Sequence, residues 1–146
     1  MSDWRSHLIS SREGVTALLQ RVHTVAVLGI KTAEVGGPAF FVPAYVQRAG
    51  IRVFPVPAYF PEVKEILGEP VHRSVAAIGQ RVDLVDIFRR PKDIPAHVDD
   101  LLSAAPNAVW FQEGIRDDAS AERLARAGID VVQDLCLMIE LQQRGR

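Results

Sequence analysis

The sequence predicts an α/β protein built on a doubly wound parallel sheet of about five strands, with helices on both faces. Three observations carry this. Short apolar runs end in Gly, Pro or polar clusters. Segments of about ten residues with helical spacing separate those runs. The runs are continuous rather than alternating, as in strands buried on both faces. Parallel order then requires right-handed crossovers. A chain of 146 residues fits one domain, 1–146, with residues 1–23 as an N-terminal helical extension.

Taken in order, Ser10 and Glu13 have capping-box spacing, with Ser10 as N-cap and Glu13 reaching back. Val15, Leu18, Leu19 and Val22 then lie at helical spacing. Residues 25–29 (VAVLG) form the first strand and its Gly stop. Residues 30–37 are a loop, and Gly37-Pro38 opens a helix, because Pro suits the first helical position. That helix runs toward Ala49 and Gly50, with Pro43 expected to kink it or delay its start. Residues 51–56 (IRVFPV) are the second strand. Residues 57–68 form a Pro-rich connection, with one helical turn expected in PEVKEIL (61–67). Residues 70–73 read as a short extended piece, and 74–78 as a turn of helix. Residues 82–88 (VDLVDIF) are a long strand. Residues 94–105 are a helix with Ile94, Val98, Leu101 and Leu102 on one face. Residues 108–112 are the fourth main strand. Residues 117–127 are a helix whose acidic start suits its dipole. Residues 129–132 are the last strand, and 135–143 a closing helix.

Composition narrows the function class. Hydrophobic residues make up 48% and charged residues 24%, as in an ordinary soluble protein. The net charge of −1 creates no global field for nucleic acid or an anionic membrane. Any anion site must come from local placement of cations and backbone N–H groups. The single cysteine, Cys136, excludes an internal disulfide and fits a reducing compartment. No apolar run reaches the ~18 residues of a membrane span. The first residues lack the apolar centre of a signal peptide. The expectation is a cytoplasmic protein without nucleic-acid or membrane partners.

Ligands of open α/β sheets bind outside the carboxyl ends of the strands. Three turns at such ends are candidates. The first, residues 29–38, contains Gly29, Ile30, Lys31, Thr32, Gly36, Gly37 and Pro38. Glycine admits close backbone approach, and a helix start offers unpaired N–H groups to phosphate. The spacing is neither G-x-G-x-x-G nor a P-loop. The second strand ends in Pro55-Val56 with no acid for a ribose, which argues against an ordinary NAD site. The second turn is Phe88-Arg89-Arg90-Pro91, where Arg suits bidentate phosphate binding. The third, residues 112–115, contains Gln112, Gly114 and Ile115. Its Glu113 has no evident carboxylate partner, so a hydrogen-bonding role is expected rather than acid catalysis.

These residues resemble the small stand-alone CoA-binding proteins, whose Rossmann-like domain is similar to the N-terminal domain of the succinyl-CoA synthetase alpha subunit. The resemblance spans roughly residues 22–141. It is most specific at VDLVDIFRRP (82–91), AVWFQEGI (108–115) and AGIDVVQDLCLMIE (127–140). The first loop and PVPAYF (55–60) match more loosely. The resemblance implies a coenzyme A site across the strand ends. The ADP part would lie along residues 29–38, flanked by Pro55 and Val56, with residues 88–90 and 112–115 completing the pocket. Two departures stand out: Pro57-Ala58 where the family often has Asn-Pro, and Lys31 where it often has Ser. Lys31 adds a cation that favours phosphate.

No catalytic constellation or metal spacing is evident. His7 is placed in a loose terminus, His23 at the amino end of a strand, and His97 on a solvated helix. His72 alone is retained as a site candidate. Cys136 is expected to be inert packing. Asp83 and Asp86 point to opposite faces of their strand and make no carboxylate pair. The expected function is non-catalytic binding of CoA or acyl-CoA by a carrier or regulator. The alternatives are an accessory nucleotide-binding subunit of an acyl-CoA synthetase and an NAD(P)- or ADP-binding regulator.

Overall fold

The computed structural model describes residues 3–146. Its centre is a five-stranded, wholly parallel sheet of β1 (Thr24–Leu28), β2 (Arg52–Val56), β5 (Leu84–Ile87), β6 (Ala108–Gln112) and β7 (Asp130–Leu135). The spatial order is β2-β1-β5-β6-β7. The chain therefore moves outward from β1 to β2, then returns to the other side of β1 to lay down β5. The gap between β1 and β5 is the topological switch point, where the turns after the two strands diverge.

Burial explains why these runs are continuous. In β1, β5 and β6 nearly every residue is buried, because helices cover both faces. One face packs Val25, Val27, Val53, Leu84 and Trp110 under α1 (Arg12–Gln20), α2 (Pro38–Arg48) and α5 (Leu137–Gln143). The other packs Ala26, Leu28, Val85, Ile87 and Phe111 under α3 (Val98–Ala104) and α4 (Asp118–Arg126). The expected doubly wound, Rossmann-like sheet is what forms.

Several local expectations are corrected. The N-cap of α1 is Ser11, not Ser10: its side chain accepts the Gly14 N–H. Residues 8–10 are needed elsewhere, since Leu8 bridges Val131 in parallel and the Ile9 N–H bonds the Val131 carbonyl. The segment around His7 is likewise pinned rather than loose, by a 2.8 Å contact between His7 Nδ1 and Asp130 Oδ1. PEVKEIL is not helical. Its end forms a two-residue hairpin, β3 (Glu65–Ile66) and β4 (Glu69–Pro70), turned by Leu67 and Gly68, both at positive φ. The helix expected from Ile94 starts instead as a 3-10 segment, Pro91–His97, before α3. The last strand runs three residues past Val132 through an irregularity in its pairing with β6.

Pro43 neither starts nor stops α2, which runs through it. A proline inside a helix leaves the carbonyl four residues earlier without its usual donor. Here that carbonyl is Ala39, and it accepts the Lys31 N–H at 3.1 Å. The missing helical bond is replaced by one that ties the loop after β1 to the first turn of α2.

Candidate functional site

Because the sheet is parallel, the turns after β1, β2, β5 and β6 all lie along its carboxyl edge. Between the first and third of them is an opening of about 370 Å³. It is lined by Lys31, Gly36, Gly37, Pro38 and Ala39 from the first loop and α2, by Phe88, Arg89, Arg90 and Pro91 after β5, and by Ile115 after β6. Three sequence-distant turns thus meet at the switch point. Three cations and no acid stand on the wall, beside the apolar surfaces of Phe88, Pro38 and Ile115. A depression of similar size, about 380 Å³, lies between residues 4–10, α4 and β7. Its lining shares no residue with that of the opening and carries two acids.

Gly29 sets the spacing of the two main turns. Its φ is +89°, and a Cβ there would stand 2.3 Å from the Phe88 carbonyl oxygen and 3.1 Å from Arg89 Cδ. Its N–H donates to the Val56 carbonyl at 2.8 Å, while the Phe88 N–H donates to Leu28. Glycine is thus required because the chain after β5 passes against it. Thr32 then organises the loop: its carbonyl accepts the Gly36 N–H, and its hydroxyl accepts the Val35 N–H at 3.5 Å. Gly36 and Gly37, both at positive φ, bring the chain into α2, whose start has no side-chain cap. An uncapped helix start retains donors and partial positive charge for an anion.

Arg89 and Arg90 differ. The Arg90 side chain is 65% exposed and pairs with Asp93, Nε to Oδ2 at 2.7 Å. The Arg89 side chain is only 17% exposed. Its Nε donates to His97 Nε2 at 3.1 Å, and its guanidinium carbon lies 5.4 Å from the Tyr59 ring centre. By hydrogen bonding and then by its charge, Arg89 holds the Tyr59 phenol below its usual range. Asp93 is held below the usual carboxylate range, chiefly by the hydrogen bond from Arg90. Tyr59 itself sits on a loop braced by Arg73, which donates to the carbonyls of Tyr59, Pro61 and Val63.

Other candidates from the sequence sit elsewhere. Ile30 is buried in the core beneath α2, so only its backbone faces the loop. Pro55 and Val56 are buried and occupied through their carbonyls, by the His72 and Gly29 N–H groups. Gln112 is buried and accepts the Leu137 N–H at the start of α5, so it braces a helix rather than lining the opening. Gly114, at positive φ, donates to Asp134 Oδ1 at 2.6 Å. His72 packs tilted against Phe54, ring centres 6.0 Å apart, and does not line the opening. Cys136 is buried at the start of α5.

Sequence reasoning missed Tyr59, Asp93 and His97. His97 was expected in solvent, yet it is half-buried against Arg89. It lies eight residues beyond Arg89, across a turn whose 3-10 path is not apparent in the apolar spacing. It also missed Gln133 and Asp134, which lie on the extension of β7 and hold the backbone of Asp117 and Gly114.

A doubly wound parallel sheet with a glycine turn and a helix start at its switch point defines the class as Rossmann-like α/β domains. Within that class the chain belongs to the CoA binding domain family, whose model matches residues 23–142. It is 27% identical over 129 residues to the uncharacterised protein YneT of Bacillus subtilis, covering 88% of this chain and 93% of that one. Among solved structures, a Thermus thermophilus protein is 35% identical with a TM-score of 0.83, over 92% of this chain and 98% of the other. The dinucleotide-forming acetyl-coenzyme A synthetase 1 of Ca. Korarchaeum cryptofilum shares the fold, at 15% identity and a TM-score of 0.64. That match covers 75% of this chain and 25% of the synthetase. No helix among the described residues is long and apolar enough to cross a membrane.

Proposed function

We propose that this protein binds coenzyme A or an acyl-CoA at the carboxyl edge of its sheet and performs no chemistry on it, serving as a carrier or regulator. The observation that carries the reading is the wall of the opening: Lys31, Arg89 and Arg90 around a glycine loop and an uncapped helix start, with no acid, histidine or cysteine on that wall. Such a wall attracts a diphosphate and, apart from the Lys31 amine, offers neither a nucleophile nor a general acid to the bound molecule. The backbone of residues 29–38 and Lys31 serve the diphosphate, Arg89 supplies a fixed charge, and Phe88 and Ile115 provide apolar surface.

A thermal-shift panel of CoA, acetyl-CoA, NAD(H), NADP(H) and ADP tests this, since a ligand of the native state stabilises by mass action, about 2.7 kcal/mol at a hundred times Kd. CoA compounds should raise the melting temperature most. A shift by NAD(H) alone would overturn the proposal. Calorimetry on Arg89→Ala should show CoA affinity reduced ten- to a hundred-fold, roughly the worth of a charged hydrogen bond.

A second reading has one observation behind it: the synthetase of the same fold is about four times longer than the part matched here. In that reading the chain is the nucleotide-binding subunit of an acyl-CoA synthetase whose catalytic groups lie on another polypeptide. Co-purification of such a chain, with CoA-dependent acyl transfer by the pair, would favour it over a carrier.

A further inference from the structure

The contact between Arg89 and His97 has a consequence for how the opening holds an anion. Arg89 leaves the carboxyl end of β5 and lays its stem against the Gly29 turn. A guanidinium meets phosphate through two parallel N–H bonds, made either by its two terminal nitrogens or by Nε with one of them. Here Nε is already committed to His97 Nε2 at 3.1 Å. The nearest carboxylate, Asp93, stands 3.9 Å from a terminal nitrogen, beyond hydrogen-bond reach, and is engaged at 2.7 Å by Arg90. Apart from the Tyr59 phenol beside them, the two terminal nitrogens are what Arg89 has left for a ligand.

His97 can accept at Nε2 only as the neutral ring with its proton on Nδ1. Protonation removes the acceptor and sets a second cation against the guanidinium. The charged groups facing the ring are Arg89 from the turn after β5, and Asp93 and Asp100 from its own helical segment. Asp100 is committed to the backbone N–H groups of Val75 and Ala76, at 2.8 and 3.0 Å. With both acids engaged, Arg89 is the neighbour that most directly meets the ring. Burial, and then the charge of Arg89, hold His97 below its usual range.

We propose that His97 is a positioning residue for Arg89: as a neutral ring it anchors Nε and presents the terminal nitrogens to a ligand diphosphate, and on protonation it releases Arg89 and weakens that binding. The inference rests on the CoA reading of the opening and adds its regulation by proton concentration. Tyr59, stacked on the same guanidinium, limits where the released side chain can go.

The test is calorimetry between pH 5 and 8 with dephospho-CoA, whose diphosphate does not change charge in that range, on wild type, His97→Gln and His97→Leu. Gln offers an uncharged acceptor that does not titrate. Wild-type affinity should be level at the upper end and fall several-fold as His97 protonates. His97→Gln should keep the high-pH affinity and lose the pH dependence. His97→Leu should bind roughly ten-fold more weakly at every pH, the loss of one charge-assisted bond. NMR titration of the His97 ring in Arg89→Ala should show its pKa moved upward. A pH profile unaltered in His97→Gln, with binding intact, overturns this proposal alone. Wild type that binds neither CoA nor dephospho-CoA overturns the CoA reading and this one with it, and the NMR titration then reports on the Arg89 contact independently.

Discussion

The two edges of the sheet treat polar groups in opposite ways, and β5 connects them. At the amino edge, Asp83 accepts the N–H groups of His23 and Thr24 at 2.8 and 3.0 Å and the Asn107 side chain at 3.3 Å. Its own N–H donates to Thr24 Oγ1 at 2.9 Å. One carboxylate thus ties β1, β5 and the entry to β6 together. At the carboxyl edge, six residues further along, Arg89 has only the Tyr59 phenol and a carboxylate 3.9 Å away beside its terminal nitrogens, and it lines an opening. Between them, Asp86 is wholly buried and neither of its oxygens has a hydrogen-bond partner among the described residues. The comparison teaches that satisfaction marks the edge that holds the fold, and that loosely paired donors mark the edge where the proposed ligand site lies.

The comparison can be broken most severely at Gly29. Gly29→Ala places a Cβ against the Phe88 carbonyl at positive φ, so the turns after β1 and β5 cannot both keep their paths. A loss of about 3 kcal/mol in urea unfolding is expected, with loss of CoA binding. A stable variant with normal affinity would show that the close approach is dispensable.

Asp86 gives the next effect, and it depends on pH. Burial raises its pKa well above the usual carboxylate range. The sign follows from linkage: below the unfolded-state value, about 3.9, the acid is neutral in both states and costs nothing in pH dependence. As pH rises above that, the unfolded chain releases a proton that the folded chain retains, and stability falls by about 1.4 kcal/mol per pH unit until the folded pKa is reached. Asp86→Asn should remove that slope. Relative to wild type it should become progressively more stable as pH rises above the unfolded-state value, read by urea unfolding at each pH. Parallel curves for the two proteins would show that Asp86 ionises inside the fold.

Asp83→Ala should cost about 2 kcal/mol, because it strands backbone donors of β1 at the amino edge. CoA affinity of the folded protein should not change. An affinity loss would mean that the two edges are coupled. The smallest effect is expected at Ser11→Ala, about 1 kcal/mol from loss of the α1 cap, whereas Ser10→Ala should be near neutral. Equal losses at the two serines would reinstate the earlier cap.

What could be read from the sequence followed from local physics. Strands β1, β5 and β6 appear as continuous apolar runs because each is covered on both faces. Pro38, Gly50 and Gly128 punctuate helices through their own backbone constraints. The same reading nominated Lys31, Gly36, Gly37, Pro38, Phe88, Arg89, Arg90 and Ile115, which the fold brings to one opening. It also nominated Ile30, Pro55, Val56 and Gln112, whose side chains serve the core or the backbone. A strand-end residue points alternately to one face or the other, and the sequence does not reveal which partner waits there.

The sequence by itself determined the class of sheet, the order of its elements and the turns that end its strands, because hydrophobic period and turn chemistry act over a few residues. Only the tertiary structure decided the rest. The glycine at 29 is required by a carbonyl 59 residues away. The helix through Pro43 survives because Lys31 supplies the donor that faces Ala39. Arg89 is held by a histidine that looked solvent-exposed. Each of these depends on groups from two chain segments arriving within about 3 Å of one another, and hydrogen bonding and steric exclusion act only at that range.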